Sequence, residues 1–153
     1  MAGTAEFLTR ERATIVTAAE AALERAHARH YESDGTLELH RRLDTLYDQL
    51  LVAVVDRDAG PIVEYAQQVA QERFDAGYDL SEVQTGFNAL EEATWQRIFA
   101  GLDPSDYAEA LGLVSTILGA AKDALARKYV SLATSTHAPA LDLRALFAGI
   151  ESP

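Results

Sequence analysis

Apolar residues recur at three- and four-residue steps along nearly the whole chain, and no stretch alternates apolar with polar residues for long enough to form a half-buried strand. That spacing leaves packed helices as the available architecture, because a stripe of this period is buried only when the chain coils at about 3.6 residues per turn. The clearest stripe is Leu39, Leu43, Leu46, Leu50 and Val54. A thinner, alanine-rich one runs through Leu8, Ile15, Ala19, Ala22, Leu23 and Ala26.

Turn and capping residues divide the pattern into about five helices. The first is expected over residues 4–31, ending where Ser33, Asp34 and Gly35 form a turn, with Thr36 placed to cap the second over 37–56. Pro61 suits the first turn of the third, which directs Ile62, Ala66, Val69 and Phe74 inward and stops at Gly77, a favourable left-handed position. Asp79 and Glu82 then form a capping box, with Tyr78 and Val83 as its hydrophobic staple, and open a fourth helix over 80–100 that Gly101 ends. Asp103 and Pro104 signal the start of a fifth, running to about residue 133. Residues 134–140 read as a polar linker containing Pro139, followed by a short amphipathic helix over 141–150. The expected organisation is a helical domain over 1–133 and a linker with a C-terminal tail over 134–153.

Two helices carry more than core. The fourth places Leu80, Val83, Phe87, Leu90, Thr94 and Ile98 at its centre, with small Gly86, Ala89 and Ala93 on one flank. The other flank holds Gln84, Asn88, Glu91 and Trp95, a polar edge beside a large aromatic ring. It reads either as a partly solvated boundary or as a contact surface for a partner or ligand. The fifth has a heptad-like seam of Tyr107, Leu111, Val114, Leu118, Ala121, Leu125, Tyr129 and Leu132. Off that seam lie Gly112, Ser115, Gly119 and Ala126, all small and on one side, while Leu113 and Ile117 face a third direction. Each glycine costs about 1 kcal/mol of helix propensity relative to Ala, so something is expected to pack closely there. Either this is the central helix of the bundle or it forms a homodimer contact, and the two are compatible.

Composition excludes several functions. The 153 residues carry a net charge of −11, which disfavours nucleic acid and anionic lipid as partners. With no cysteine, the chain has no disulfide, thiol nucleophile or cysteine-ligated metal. The first dozen residues include Glu6 and lack a long apolar run, so no secretory signal is expected. The uncharged stretch 110–121 is far short of the roughly 20 residues that span a bilayer. The expected location is the cytoplasm.

Catalytic and metal chemistry find little support. Glu24 with His27 is the only Glu-x-x-His pair, where a di-iron bundle needs two on separate helices. His27, His30 and His40 lie among charged neighbours and His137 in the linker, so none reads as an inward haem ligand. The sequence has no nucleophile elbow and no phosphate-binding glycine loop. Asp44, Asp48, Asp56 and Asp58 read as solubilising charges. No cofactor, metal or catalytic residue is expected.

The segment from Glu72 to Trp95, ERFDAGYDLSEVQTGFNALEEATW, resembles the N-terminal domain of RsbR/RsbRD-type proteins, bacterial co-antagonists that regulate the kinase RsbT. The shared pattern is Arg73 near a helix end, Gly77, the acidic-capped start Leu80, Glu82 and Val83, and a later Trp95; with the upstream run 43–58 and Pro61 the likeness covers about residues 37–132. The resemblance implies a dimerising α-helical sensory module, non-haem and globin-like, with no catalytic residue to carry over. Family members continue into a STAS domain whereas this chain stops at Pro153, so the expectation is a stand-alone sensor, a subunit serving a separately encoded STAS-domain or kinase partner, or a relative with another role.

The reading that results is an all-α compact bundle of about five helices, a four-helix antiparallel core plus an N-terminal helix, with a globin-like arrangement giving the same pattern, and a short C-terminal helix. Its expected role is a non-enzymatic signalling module for bacterial stress-response regulation, acting as a homodimer. A globin-like sensor of haem or another small molecule is the alternative. The candidate contact residues are Arg73, Gln84, Asn88, Glu91, Trp95, Gly112, Ser115 and Gly119.

Overall fold

A computed structural model describes residues 3–26 and 35–137 of the chain. Within them every regular element is helical: α1 (Thr4–Arg10), α2 (Arg12–Ala26), α3 (Thr36–Asp56), α4 (Gly60–Asp75), α5 (Leu80–Gly101), a single 3₁₀ turn (Pro104–Asp106) and α6 (Tyr107–His137). The all-α bundle expected from periodicity is present. Ser33, Asp34, His27, His30 and the expected C-terminal helix over 141–150 lie outside the described residues.

Most of the boundary chemistry is realised. The turn after α4 closes as a Schellman motif: Gly77 adopts φ +86°, the Tyr78 N–H donates to the Arg73 carbonyl (2.9 Å), and the Gly77 N–H donates to that of Phe74 (3.1 Å). A capping box then opens α5, the Asp79 N–H donating to Glu82 Oε1 at 3.1 Å. The Asp103 carboxylate accepts from the Ser105 N–H and hydroxyl, at 3.0 and 2.9 Å, and these bonds hold its pKa below the usual carboxylate range.

Four boundaries differ from expectation. The single first helix is two, broken at Glu11, and the cause is tertiary. The Tyr47 hydroxyl of α3 donates to the Leu8 carbonyl (2.6 Å), and Arg97 Nε of α5 lies 3.0 Å from Glu11 Oε2. Thr36 is the first residue of α3 rather than its cap; Gly35, at φ 86°, takes the cap position with no side-chain bond. The start signalled by Asp103 and Pro104 produces a 3₁₀ turn before α6 begins at Tyr107. At its other end α6 runs past residue 133 to His137, so the first part of the expected linker is helical. Nothing in 134–137 breaks a helix, and Pro139 disfavours helical geometry only at the residue before it.

The helix at the centre is α3, not α6. It packs on each of the other five, and its Tyr47, Leu50 and Ala53 are fully buried. Helix α6 packs most extensively on α4, then on α5, along the seam Val114, Leu118, Ala121 and Leu125. Ile117 is also buried. Asp44 and Asp48 do more than solubilise: both bond the guanidinium of Arg12, tying α2 to α3 across the Tyr47 ring. No described helix is long and apolar enough to cross a membrane.

Candidate functional site

The candidate residues fall into three separate places. The first is the outer face of α6. Ala108, Gly112, Ser115 and Thr116 are exposed and Gly119 is half-buried. A methyl group added at Gly112 or Gly119 would meet nothing within 4 Å. No part of the described chain packs on this strip, so the close intramolecular packing expected there does not occur. The physical reason is the rotation of α6, which spends its seam and Ile117 on α4 and α5 and turns the small residues outward. Gly112, Leu113, Thr116 and Ile117 line a shallow groove of about 410 Å³ together with the Arg57–Glu109 ion pair (2.5 Å).

The second place is the polar flank of α5. Asn88 and Glu91 both engage Lys122 of α6, whose Nζ lies 3.1 Å from Asn88 Oδ1 and 2.9 Å from Glu91 Oε2. Half of the flank is therefore a clasp between α5 and α6. Lys122 was not singled out from sequence, although it is the only cation between Arg97 and Arg127. One turn beyond the clasp, Trp95 stands 41% exposed, edge-on to Phe99 (5.9 Å between centroids), which in turn meets Tyr107 edge-on (4.9 Å). Gln84 is half-buried near the start of α5.

Arg73 belongs to neither. It is one of the candidate contact residues named with the α5 flank, but no bond joins it to Gln84, Asn88, Glu91 or Trp95. It lies instead on a cavity of about 30 Å³ between α2, α3, α4 and α5, walled by Leu23, Leu43, Leu46, Val69 and Phe87 together with Arg42 and Tyr65. The α4 stripe explains this placement: Ile62, Ala66 and Val69 lead at steps of four and three to position 73, so Arg73 occupies a core position. Arg42 likewise sits on the α3 stripe, three residues after Leu39 and four before Leu46. Those two misplaced arginines were the available signal for a polar site inside the bundle.

The geometry of this third place is unusual. The Arg73 side chain is 13% exposed and its Nε is fully enclosed with no hydrogen-bond partner. Among the described residues its one ionic contact is Glu72 Oε2 at 3.5 Å, on a largely exposed carboxylate. The guanidinium carbons of Arg73 and Arg42 each lie 5.7 Å from the centre of the Tyr78 ring, and Arg42 donates to the Tyr78 hydroxyl (2.7 Å). Burial pushes the Tyr65 hydroxyl above its usual range, opposed by the positive field of Arg73.

No group of His, Asp or Glu able to hold a metal ion occurs among the described residues. His40 is on the surface with Nδ1 2.9 Å from Glu20 Oε2. No protein-family model, curated protein or solved structure matches this chain.

Proposed function

We propose that this chain is a non-enzymatic, cytoplasmic regulatory module that works by self-association and by contact with a protein partner, as the co-antagonist N-terminal domains it resembles do. The observation that carries this reading is the outer face of α6. In a chain of net charge −11, Ala108, Gly112, Ser115, Thr116 and Gly119 form an uncharged strip spanning three helical turns. Two helix-weakening glycines stand there although a side chain at either would meet nothing within 4 Å. A second copy supplies what the strip lacks, because small residues let two helix backbones approach closely without bringing acids together.

The ends of the strip support the same occupant. One end carries the Arg57–Glu109 ion pair and the other the Asp123–Arg127 pair, Arg127 Nε lying 2.9 Å from Asp123 Oδ2. A two-fold axis through the middle of the strip sets one end of each copy against the opposite end of its partner, so each internally neutralised pair faces another. The exposed Trp95 and Phe99 give a STAS-domain or kinase partner an aromatic anchor beside α6.

Sedimentation of the full chain from 1 to about 100 μM tests the reading, with Gly112→Glu and Gly119→Glu as the perturbing variants. Wild-type protein is expected to form a concentration-dependent dimer that both variants abolish, with helical circular dichroism unchanged. A wild-type chain that stays strictly monomeric across this range refutes it.

A further inference from the structure

A guanidinium removed from water without a paired anion is among the more expensive things a fold can contain, because the charge loses hydration and receives nothing equivalent. Arg73 is close to that condition. The Nε of its guanidinium is enclosed and makes no hydrogen bond, the Glu72 contact is at the 3.5 Å limit, and the Tyr78 ring offers only the weak attraction of a cation over a π face. The same side chain lines a cavity whose other walls are mainly aliphatic and aromatic. A folded chain with an excess of acids has thus set two arginines, Arg42 and Arg73, on the wall of a small, mainly apolar space.

We propose that this cavity is a binding site for a short-chain monocarboxylate of two or three carbons, its carboxylate on the guanidinium of Arg73 and its alkyl group against Leu43 and Phe87. Three features select the class. A planar carboxylate matches the two parallel donors along one edge of a guanidinium, which a spherical halide does not. The void of about 30 Å³ accepts a small anion with slight adjustment of its walls and is far too small for an aromatic acid or a haem. The mainly apolar walls favour an anion with an alkyl tail, which phosphate lacks. Tyr65 supplies a further polar group on the same wall.

This site is separate from self-association: a strict monomer that binds propionate removes the dimer reading and leaves the site standing. The test is calorimetric and thermal-shift titration of the full chain with sodium propionate and sodium acetate, against sodium chloride and sodium benzoate at matched ionic strength. Propionate and acetate are expected to give saturable binding and a rising melting temperature, while chloride and benzoate give neither. Arg73→Met is expected to abolish the saturable part, and Arg127→Met, a surface arginine, to keep it. Should Arg73→Met fail to fold, Arg73→Lys retains the charge but lacks Nε, and propionate affinity should fall by at least about tenfold. Absence of saturable propionate and acetate binding to the wild-type chain, or equal binding by the Arg73 variants, overturns the proposal.

Discussion

Replacing Tyr47 by Phe removes one oxygen atom and leaves the ring where it packs, so its effect isolates the bond that fixes the break between α1 and α2. The hydroxyl donates to the Leu8 carbonyl at 2.6 Å, and both residues are fully buried. In the variant that carbonyl loses its donor in a place water does not reach. A neutral hydrogen bond contributes about 1 kcal/mol net, and an orphaned buried acceptor costs about 1–3 kcal/mol. The expected loss is about 2 kcal/mol, or a melting temperature lower by roughly 4–8 °C for a domain of this size. Tyr107→Phe is the internal comparison, because its hydroxyl donates to the Phe99 carbonyl (2.9 Å) at an exposed helix end where water substitutes. That variant should lose less than about 0.5 kcal/mol. Urea unfolding of both variants with unchanged m-values measures the difference, and faster amide exchange in residues 4–10 of Tyr47→Phe locates it. If the two variants lose equal stability, the Leu8 contact does not hold the N-terminal turn as described.

Two further predictions concern charge. Burial raises the Tyr47 and Tyr65 hydroxyls above their ordinary range, so the folded chain binds these protons more tightly than the unfolded chain does. Their contribution to stability is complete below the unfolded value of about 10 and is lost as pH rises beyond it, so urea midpoints should fall between roughly pH 10 and 11.5. Tyr47→Phe should flatten that decline, and an identical slope would refute the assignment. Lys122→Met keeps the aliphatic stem but leaves Glu91 and Asn88 without their cation, at an expected cost of about 1 kcal/mol. A double-mutant cycle with Glu91→Gln should return a favourable coupling, and no coupling would mean that the clasp contributes nothing to joining α5 and α6.

Local chemistry made much of this chain legible before any fold was known. Gly77, Asp79 and Glu82 act within a few residues of one another, so the end of α4 and the start of α5 follow from their side chains alone. The seam of α6 and the stripe of α3 follow from periodicity for the same reason. The break at Glu11 was not legible, because its cause lies in Tyr47, 39 residues from the Leu8 carbonyl it bonds, and in Arg97, 86 residues from Glu11. The partner of Glu91 was hidden similarly: its charge was visible, but whether Arg73 or Lys122 met it depended on how three helices rotate about their axes. Sequence spacing by itself determined which helices form, where most of them stop and which stripe each must bury, since these are properties of a single coil and its nearest neighbours. Only tertiary packing decided that α3 rather than α6 is central, that Gly112 and Gly119 face outward, and that Arg73 points into an apolar cavity. A helix can bury one stripe while presenting several other faces, and what those faces meet is set by the neighbours that the whole chain assembles around it.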